Sequence, residues 1–302
     1  MRLKVPIMNK SKRNLIIAMA LFGTIGLFRR FIDLPSGFLA LARAVVGGLF
    51  LAVPMLAKKQ RIWDENVKKN LLLLTFSGFA LGLNWMLLFE AYEHTTIATA
   101  TILYYLAPII VILLSPIFFR EKLTAGKLIC AGIALIGAVL VSDVLLTGFT
   151  LSGWEDLLFG LGAACFYACV MILNKKIQGI APLTRTVYQL AASALVLLPY
   201  CLLREEISIS AIDAADVVMT VIVGIVHTGI AYGLYFHSVS HLPAQNTAML
   251  SYLDPVIAII LSFAVMGESI SVWALLGGVL IIGAAIVLEN ADRLTIANKK
   301  KM

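Results

Sequence analysis

Along this chain, runs of mostly apolar residues alternate with short polar breaks: 15–32, 36–57, 70–90, 95–119, 124–142, 154–174, 182–203, 216–236, 243–267 and 271–289. About 17 to 25 apolar residues carry an α-helix across the hydrocarbon of a bilayer. The pattern therefore predicts an all-α membrane protein with ten transmembrane helices. The breaks hold residues that stop helices: Asp33, Pro35 and Ser36; Lys58 to Lys69; Arg120 to Thr124; Thr147 to Gly153; Gly179 to Pro182; Arg204 to Asp213. None has room for a folded soluble domain.

The same punctuation returns on a larger scale. Displaced by 147 positions, Pro35 falls on Pro182, Gly82 on Gly229, Phe89 on Phe236, Tyr105 on Tyr252, Pro108 on Pro255 and Glu121 on Glu268. Two similar halves follow, 1–147 and 148–302, with five spans in each. Five is odd, so the second half enters the membrane from the opposite side, the inverted repeat common among transporters.

Composition agrees with the pattern: 61% of residues are hydrophobic, 14% are charged, and mean hydropathy is +0.95. The formal charge of +7 has a topological reading. Twenty of the 24 lysines and arginines fall on one side: Arg2, Lys4, Lys10, Lys12 and Arg13; Lys58, Lys59, Arg61, Lys68 and Lys69; Arg120, Lys122 and Lys127; Lys175, Lys176 and Arg185; Arg293 and Lys299 to Lys301. By the positive-inside rule that side is the cytoplasm and both termini lie there, in a multi-pass protein of the plasma (inner) membrane. Charge that is spent on topology implies no nucleic-acid partner.

The first span follows a basic stretch, as a signal peptide does, but residues 15–35 match 162–182 in register, so it reads as a helix with Arg29 and Arg30 reaching toward outer headgroups. Cys130, Cys165, Cys169 and Cys201 all sit in spans and read as small buried hydrophobes. His237 and His241 are four apart but have no carboxylate beside them in sequence, so no metal is expected. Walker A, HExxH and GxSxG signatures are missing, and Gly160-Leu161-Gly162 reads as close helix packing. The expectation is no cofactor and no enzymatic role, with transport drawing on an ion or substrate gradient.

One phrase occurs twice: Tyr105-Leu106-Ala107-Pro108 followed by Arg120-Glu121-Lys122-Leu123, and Tyr252-Leu253-Asp254-Pro255 followed by Gly267-Glu268-Ser269-Ile270. With the spans and the charge bias, it resembles the EamA-type members of the drug/metabolite transporter superfamily over nearly the whole chain. The resemblance implies two tandem inverted repeats in which the first four helices of each half surround a central cavity, with the fifth and tenth packed outside. It also places polar residues in the second and seventh helices, where Arg43 and Gln189 stand. It leaves the cargo open among amino acids, nucleotide sugars, cationic drugs, choline-like amines and other metabolites.

The proline of that phrase has a mechanical meaning. Inside a helix, Pro108 and Pro255 leave the carbonyls of Tyr104 and Ser251 without their usual donors, so both helices are expected to kink. In lipid such carbonyls must face protein or a wet cavity, which makes the paired kinks natural walls of a substrate path. Glu121 and Glu268 at the ends of these helices read as anchors or caps of the next helix.

Asp254 is a carboxylate deep in a span, at about 2.5 to 3.5 kcal/mol on insertion scales. Helical spacing puts it on a face with Thr247, Ser251 and Ser262; its counterpart in the first half is Ala107. It reads either as a substrate or proton contact or as an anchor for backbone at the kink. Arg43, Asn84, Glu90, Tyr188, Gln189 and His227 are the other costly polar residues within spans, and Arg43 reads either as the partner of a carboxylate such as Asp254 or Glu90 or as cavity lining. Trp85, Phe89, Tyr104, Tyr105, Tyr232, Tyr235, Phe236 and Tyr252 offer either core packing or an aromatic wall for an organic cation or amino acid. Gly78 with Gly82 and Gly229 with Gly233 form pairs that suit close helix approach.

The candidate substrate-binding set is therefore Asp254, Tyr252, Ser251, Tyr104, Asn84, Trp85, Tyr232, Arg43, Gln189 and His227, with Pro108 and Pro255 at the kinks. The function expected is alternating-access transport, outward, of a small polar or amphipathic molecule. Membrane lipids are partners, and proton or ion coupling and a homodimer are both compatible with this reading. An intramembrane enzyme and a scaffold or sensor are the alternatives.

Overall fold

The computed structural model describes residues 4–301 apart from 30, 58, 60, 61, 96, 143, 149–152, 206–211 and 267–270. Arg2, Arg30, Lys58, Arg61 and the second copy of the repeated phrase from Gly267 to Ile270 lie outside the described residues, as do the side chains of Arg29, Ser262 and residues 289–301. The helices are α1 (Lys4–Arg29), α2 (Ser36–Ala57), α3 (Glu65–His94), α4 (Ile97–Tyr104), α5 (Ala107–Phe119), α6 (Ala125–Val141), α7 (Val144–Thr147), α8 (Trp154–Lys176), α9 (Pro182–Arg204), α10 (Ala214–Ile222), α11 (Ala231–Val239), α12 (Ala244–Leu250), α13 (Leu253–Met266) and α14 (Val272–Lys301). A π-helical segment, Val223–Ile230, joins α10 to α11.

Among the described residues, eight helical stretches are long and apolar enough to cross a membrane, and Ala125–Val141 and Val272–Leu288 are shorter apolar helices. The surface is apolar where a soluble protein's would be polar: Val53, Ile117, Leu202 and Leu203 are 67 to 82% exposed, while Ser77, Gln189 and His227 are buried completely. Only a lipid solvent makes that distribution favourable. The chain is a multi-pass membrane protein.

Close contacts through glycine set the helix pairs. A Cβ on Gly78 would stand 2.5 Å from the Gln189 carbonyl oxygen, and one on Gly82 would stand 3.0 Å from that of Ser193, so α3 and α9 run side by side in the same sense. A Cβ on Gly47 would stand 2.8 Å from the Gly224 carbonyl oxygen, so α2 packs closely against the π segment. Gly137 faces Ile281 while Gly277 faces Val141, so α6 and α14 cross in opposite senses. Those two helices share an apolar cluster built on Ala134, Ala138, Ile281 and Ala284, which Met249, Tyr252 and Val256 join. The Gly229 and Gly233 pair contributes less than its spacing suggests: a Cβ on Gly229 would meet the Phe50 ring at 2.8 Å, whereas one on Gly233 would have only Leu51, 4.0 Å away, as a neighbour.

The kinks expected at Pro108 and Pro255 are complete breaks. The span 95–119 divides into α4 and α5, and 243–267 divides into α12 and α13, with each proline in the first turn of the later helix. Proline is tolerated there because first-turn amides have no intrahelical partner to lose. The break also ends the single face drawn through Thr247, Ser251, Asp254 and Ser262, since Ser251 and Asp254 lie on opposite sides of it. Glu121 is a cap, but not for the next helix. Thr124 caps α6, and Glu121 accepts from the backbone amides of Ala244 and Gln245 at the start of α12.

Candidate functional site

The two breaks meet in the middle of the bundle. Tyr252 donates its hydroxyl to the Tyr105 carbonyl oxygen at 2.8 Å, satisfying backbone that the break leaves open. Tyr105 in turn donates to Asp254 Oδ1 at 3.2 Å. Asp254 stands in the first turn of α13, where the helix dipole favours a negative charge. It caps no amide: among the described residues, Tyr105 is its hydrogen-bond partner and Oδ2 accepts from none. The carboxylate is only partly covered although it lies at mid-span. Gly23 of α1 packs on its backbone, where a Cβ would come within 2.7 Å of the Asp254 carbonyl oxygen.

An aromatic wall runs from this carboxylate. Tyr104 stacks on Tyr167 with ring centres 5.4 Å apart, and Tyr167 stacks on Tyr235 at 6.3 Å, with a hydroxyl-to-hydroxyl bond of 3.0 Å between the last two. Tyr232 meets Trp85 edge-on at 5.6 Å and accepts from its Nε1 at 3.1 Å. The Arg43 guanidinium lies over Trp85, 4.7 Å from the ring centre, and its Nε donates to Thr228 Oγ1 at 2.9 Å. Tyr104 stands within electrostatic range of both Arg43 and Asp254.

Arg43 forms no ion pair with Asp254 or Glu90; the Thr228 bond and the Trp85 face hold it instead. Glu90 is taken by Tyr200, whose hydroxyl donates at 2.9 Å, and by His94 at 3.7 Å. Asp254, Tyr252, Tyr104, Trp85, Tyr232 and Arg43 thus border one region. The other sequence-derived candidates are held by bonds within the bundle, and Ser251 stands beside Tyr167. Asn84 donates to the Ala163 carbonyl at 2.7 Å, Gln189 to Ser77 Oγ at 2.6 Å, and His227 shares a 2.7 Å bond with Thr24. Each fastens one helix to its neighbour. Ser251 returns its hydroxyl to the Thr247 carbonyl, four residues back in its own helix turn.

Four residues of this region lie outside the sequence-derived set: Tyr105, Tyr167, Tyr235 and Thr228. Tyr105 was signalled by its place opposite Tyr252 in the repeated phrase. Tyr167 carries no such mark, because the position 147 residues earlier is Ala20. Thr228 faces Arg43 through the π segment, and apolar periodicity does not reveal a change of helix winding.

A profile of the EamA-like transporter family matches residues 14–143 and again 154–289. The chain belongs to this family. It is 33% identical over 276 residues to the uncharacterized transporter YxxF of Bacillus subtilis (strain 168), covering 91% of this chain and 88% of that one. It is 24% identical over 260 residues to a probable terminal-alkyne amino-acid exporter of Streptantibioticus cattleyicolor, covering 83% of each. One crystal structure superposes with a TM-score of 0.84 over 95% of this chain and 99% of the other at 19% identity, a likeness of fold.

Proposed function

We propose that this EamA transporter exports a small polar or amphipathic metabolite, such as an amino acid or an organic cation, across the plasma membrane by alternating access. The observation that carries the reading is Asp254: a partly exposed acidic residue at mid-span, bonded to one tyrosine and bordered by stacked aromatic rings. A cationic group on the cargo gains both the carboxylate and the ring faces. The relative named as an amino-acid exporter supports this choice of cargo class.

In the same reading the chain forms two five-helix repeats, 1–147 and 148–302, of opposite orientation, with both termini in the cytoplasm. The packing supports it. Exchange of the halves carries α6 onto α14, and a two-fold axis in the membrane plane makes such a pair cross in opposite senses, as Gly137 with Ile281 and Gly277 with Val141 do. Arg43, Trp85, Tyr104, Tyr232, Tyr252 and Asp254 are the proposed substrate contacts, with Tyr105 and Tyr167 added to them.

The test is a metabolite-library thermal-shift screen on purified protein, followed by flux in proteoliposomes for each hit. Asp254→Asn should lower flux by roughly ten- to a hundredfold, the loss of one charge-assisted contact. Unchanged uptake with unchanged pH dependence removes Asp254 from the site.

A further inference from the structure

Away from the aromatic region, the end of the bundle beside the α5–α6 turn carries a second polar assembly. Arg120 ends α5 in the left-handed conformation, at φ 55°, and Glu121 follows it. The Glu121 carboxylate sits against the Lys175 ammonium at the end of α8 and accepts from the Ala244 amide at 2.8 Å and the Gln245 amide at 3.2 Å. Gln245 continues the chain of bonds: its Oε1 accepts from Lys127 Nζ at 2.6 Å, and its Nε2 donates to Ser115 Oγ at 2.6 Å. Lys175 also lies over the Phe119 ring, 4.7 Å from its centre. The Glu121 and Lys175 side chains are only 16% and 17% exposed, so water competes weakly for this ion pair.

These bonds cross the seam between the halves. Glu121, Ser115 and Lys127 belong to the first half, and Lys175, Ala244 and Gln245 to the second. One carboxylate holds α8 and α12 to the end of α5, and nothing else in the sequence between Phe119 and Thr124 makes a comparable connection among the described residues. We propose that Glu121 is the bolt of a latch that closes the seam on this face and must release α8 and α12 before the face opens. The proposal rests on the alternating-access reading. It assigns to Glu121 and Lys175 the control of which face is open, and to Asp254 the cargo.

The experiment reads opening directly, without a substrate. Cys130, Cys165, Cys169 and Cys201 are replaced by serine or alanine, and Ala248→Cys, fully buried one turn beyond the latch, serves as reporter. A membrane-impermeant maleimide is applied to inside-out and right-side-out vesicles. Glu121→Gln and Lys175→Met should each raise the labelling rate at least about fivefold from one face only, and the double variant should add little to either single variant. Lys175→Met keeps Glu121 on the α12 amides, so it decides the matter if Glu121→Gln does not fold. Unchanged labelling in Lys175→Met, with a normal melting temperature, overturns the latch. Increased labelling in a protein that transports no hit of the metabolite screen sinks the transport reading and leaves the latch standing.

Discussion

Tyr105 and Tyr252, 147 positions apart and equivalent in the two repeats, meet at the centre of the bundle, the hydroxyl of the second 2.8 Å from the carbonyl oxygen of the first. Under the proposed inverted repeat, equivalent residues would touch only near the axis relating the copies, and Trp85 and Tyr232, another pair 147 apart, meet at 3.1 Å. The match between the halves is incomplete here, because Tyr105 turns its own hydroxyl to Asp254, where the first half has Ala107. Charge thus enters one side of an otherwise matched pair.

Tyr252→Phe strips the Tyr105 carbonyl of its donor in buried surroundings. A loss of about 1–3 kcal/mol in stability is expected, measured by denaturation of the purified protein in detergent. Tyr105→Phe should cost less, since the Asp254 carboxylate it abandons is partly open. Equal stability of Tyr252→Phe and the parent would show that this bond does not hold the break together.

Glycines divide by what stands opposite. Gly78→Ala puts a methyl group 2.5 Å from the Gln189 carbonyl oxygen and the Ala192 Cβ, and backbone cannot yield as a side-chain tip does. A destabilisation of about 1–3 kcal/mol follows from overpacking. Gly132→Ala meets nothing within 4 Å, and should be neutral or stabilising by up to about 1 kcal/mol through helix propensity. The two melting temperatures should move apart.

Arg43→Lys keeps the charge but loses the planar group over Trp85 and the Nε bond to Thr228. Flux of the cargo found by the thermal-shift screen should fall roughly tenfold, about 1.4 kcal/mol, while folding is retained. A variant that transports normally would assign Arg43 to structure alone.

The positions of the apolar helices were legible because lipid demands long apolar runs: for most of the chain the expected boundaries fall within a few residues of the helices, and among the described residues eight of the ten expected spans are long enough to cross, Ala125–Val141 and Val272–Leu288 being shorter. What the sequence concealed lies where backbone conformation departs from a continuous α-helix. Pro108 and Pro255 announced a disturbance, yet a bend and a break use the same residue, and sequence does not tell them apart. The π segment leaves no compositional trace, so Thr228 and its grip on Arg43 were invisible. Gln189, Asn84 and His227 were correctly marked as polar within spans. Each has its bond on a neighbouring helix, and sequence spacing does not distinguish fastening from cargo contact.

The central claim is that the second repeat lies upside down relative to the first. Phe31 and Gln178 test it most directly, since they are 147 positions apart, both are exposed, and each follows the first helix of its own half. In a cysteine-free background, Phe31→Cys and Gln178→Cys are labelled in intact cells and in inside-out vesicles with an impermeant maleimide. The account predicts that Phe31→Cys reacts only from outside and Gln178→Cys only from the cytoplasm. Reaction of both from the same face would contradict it.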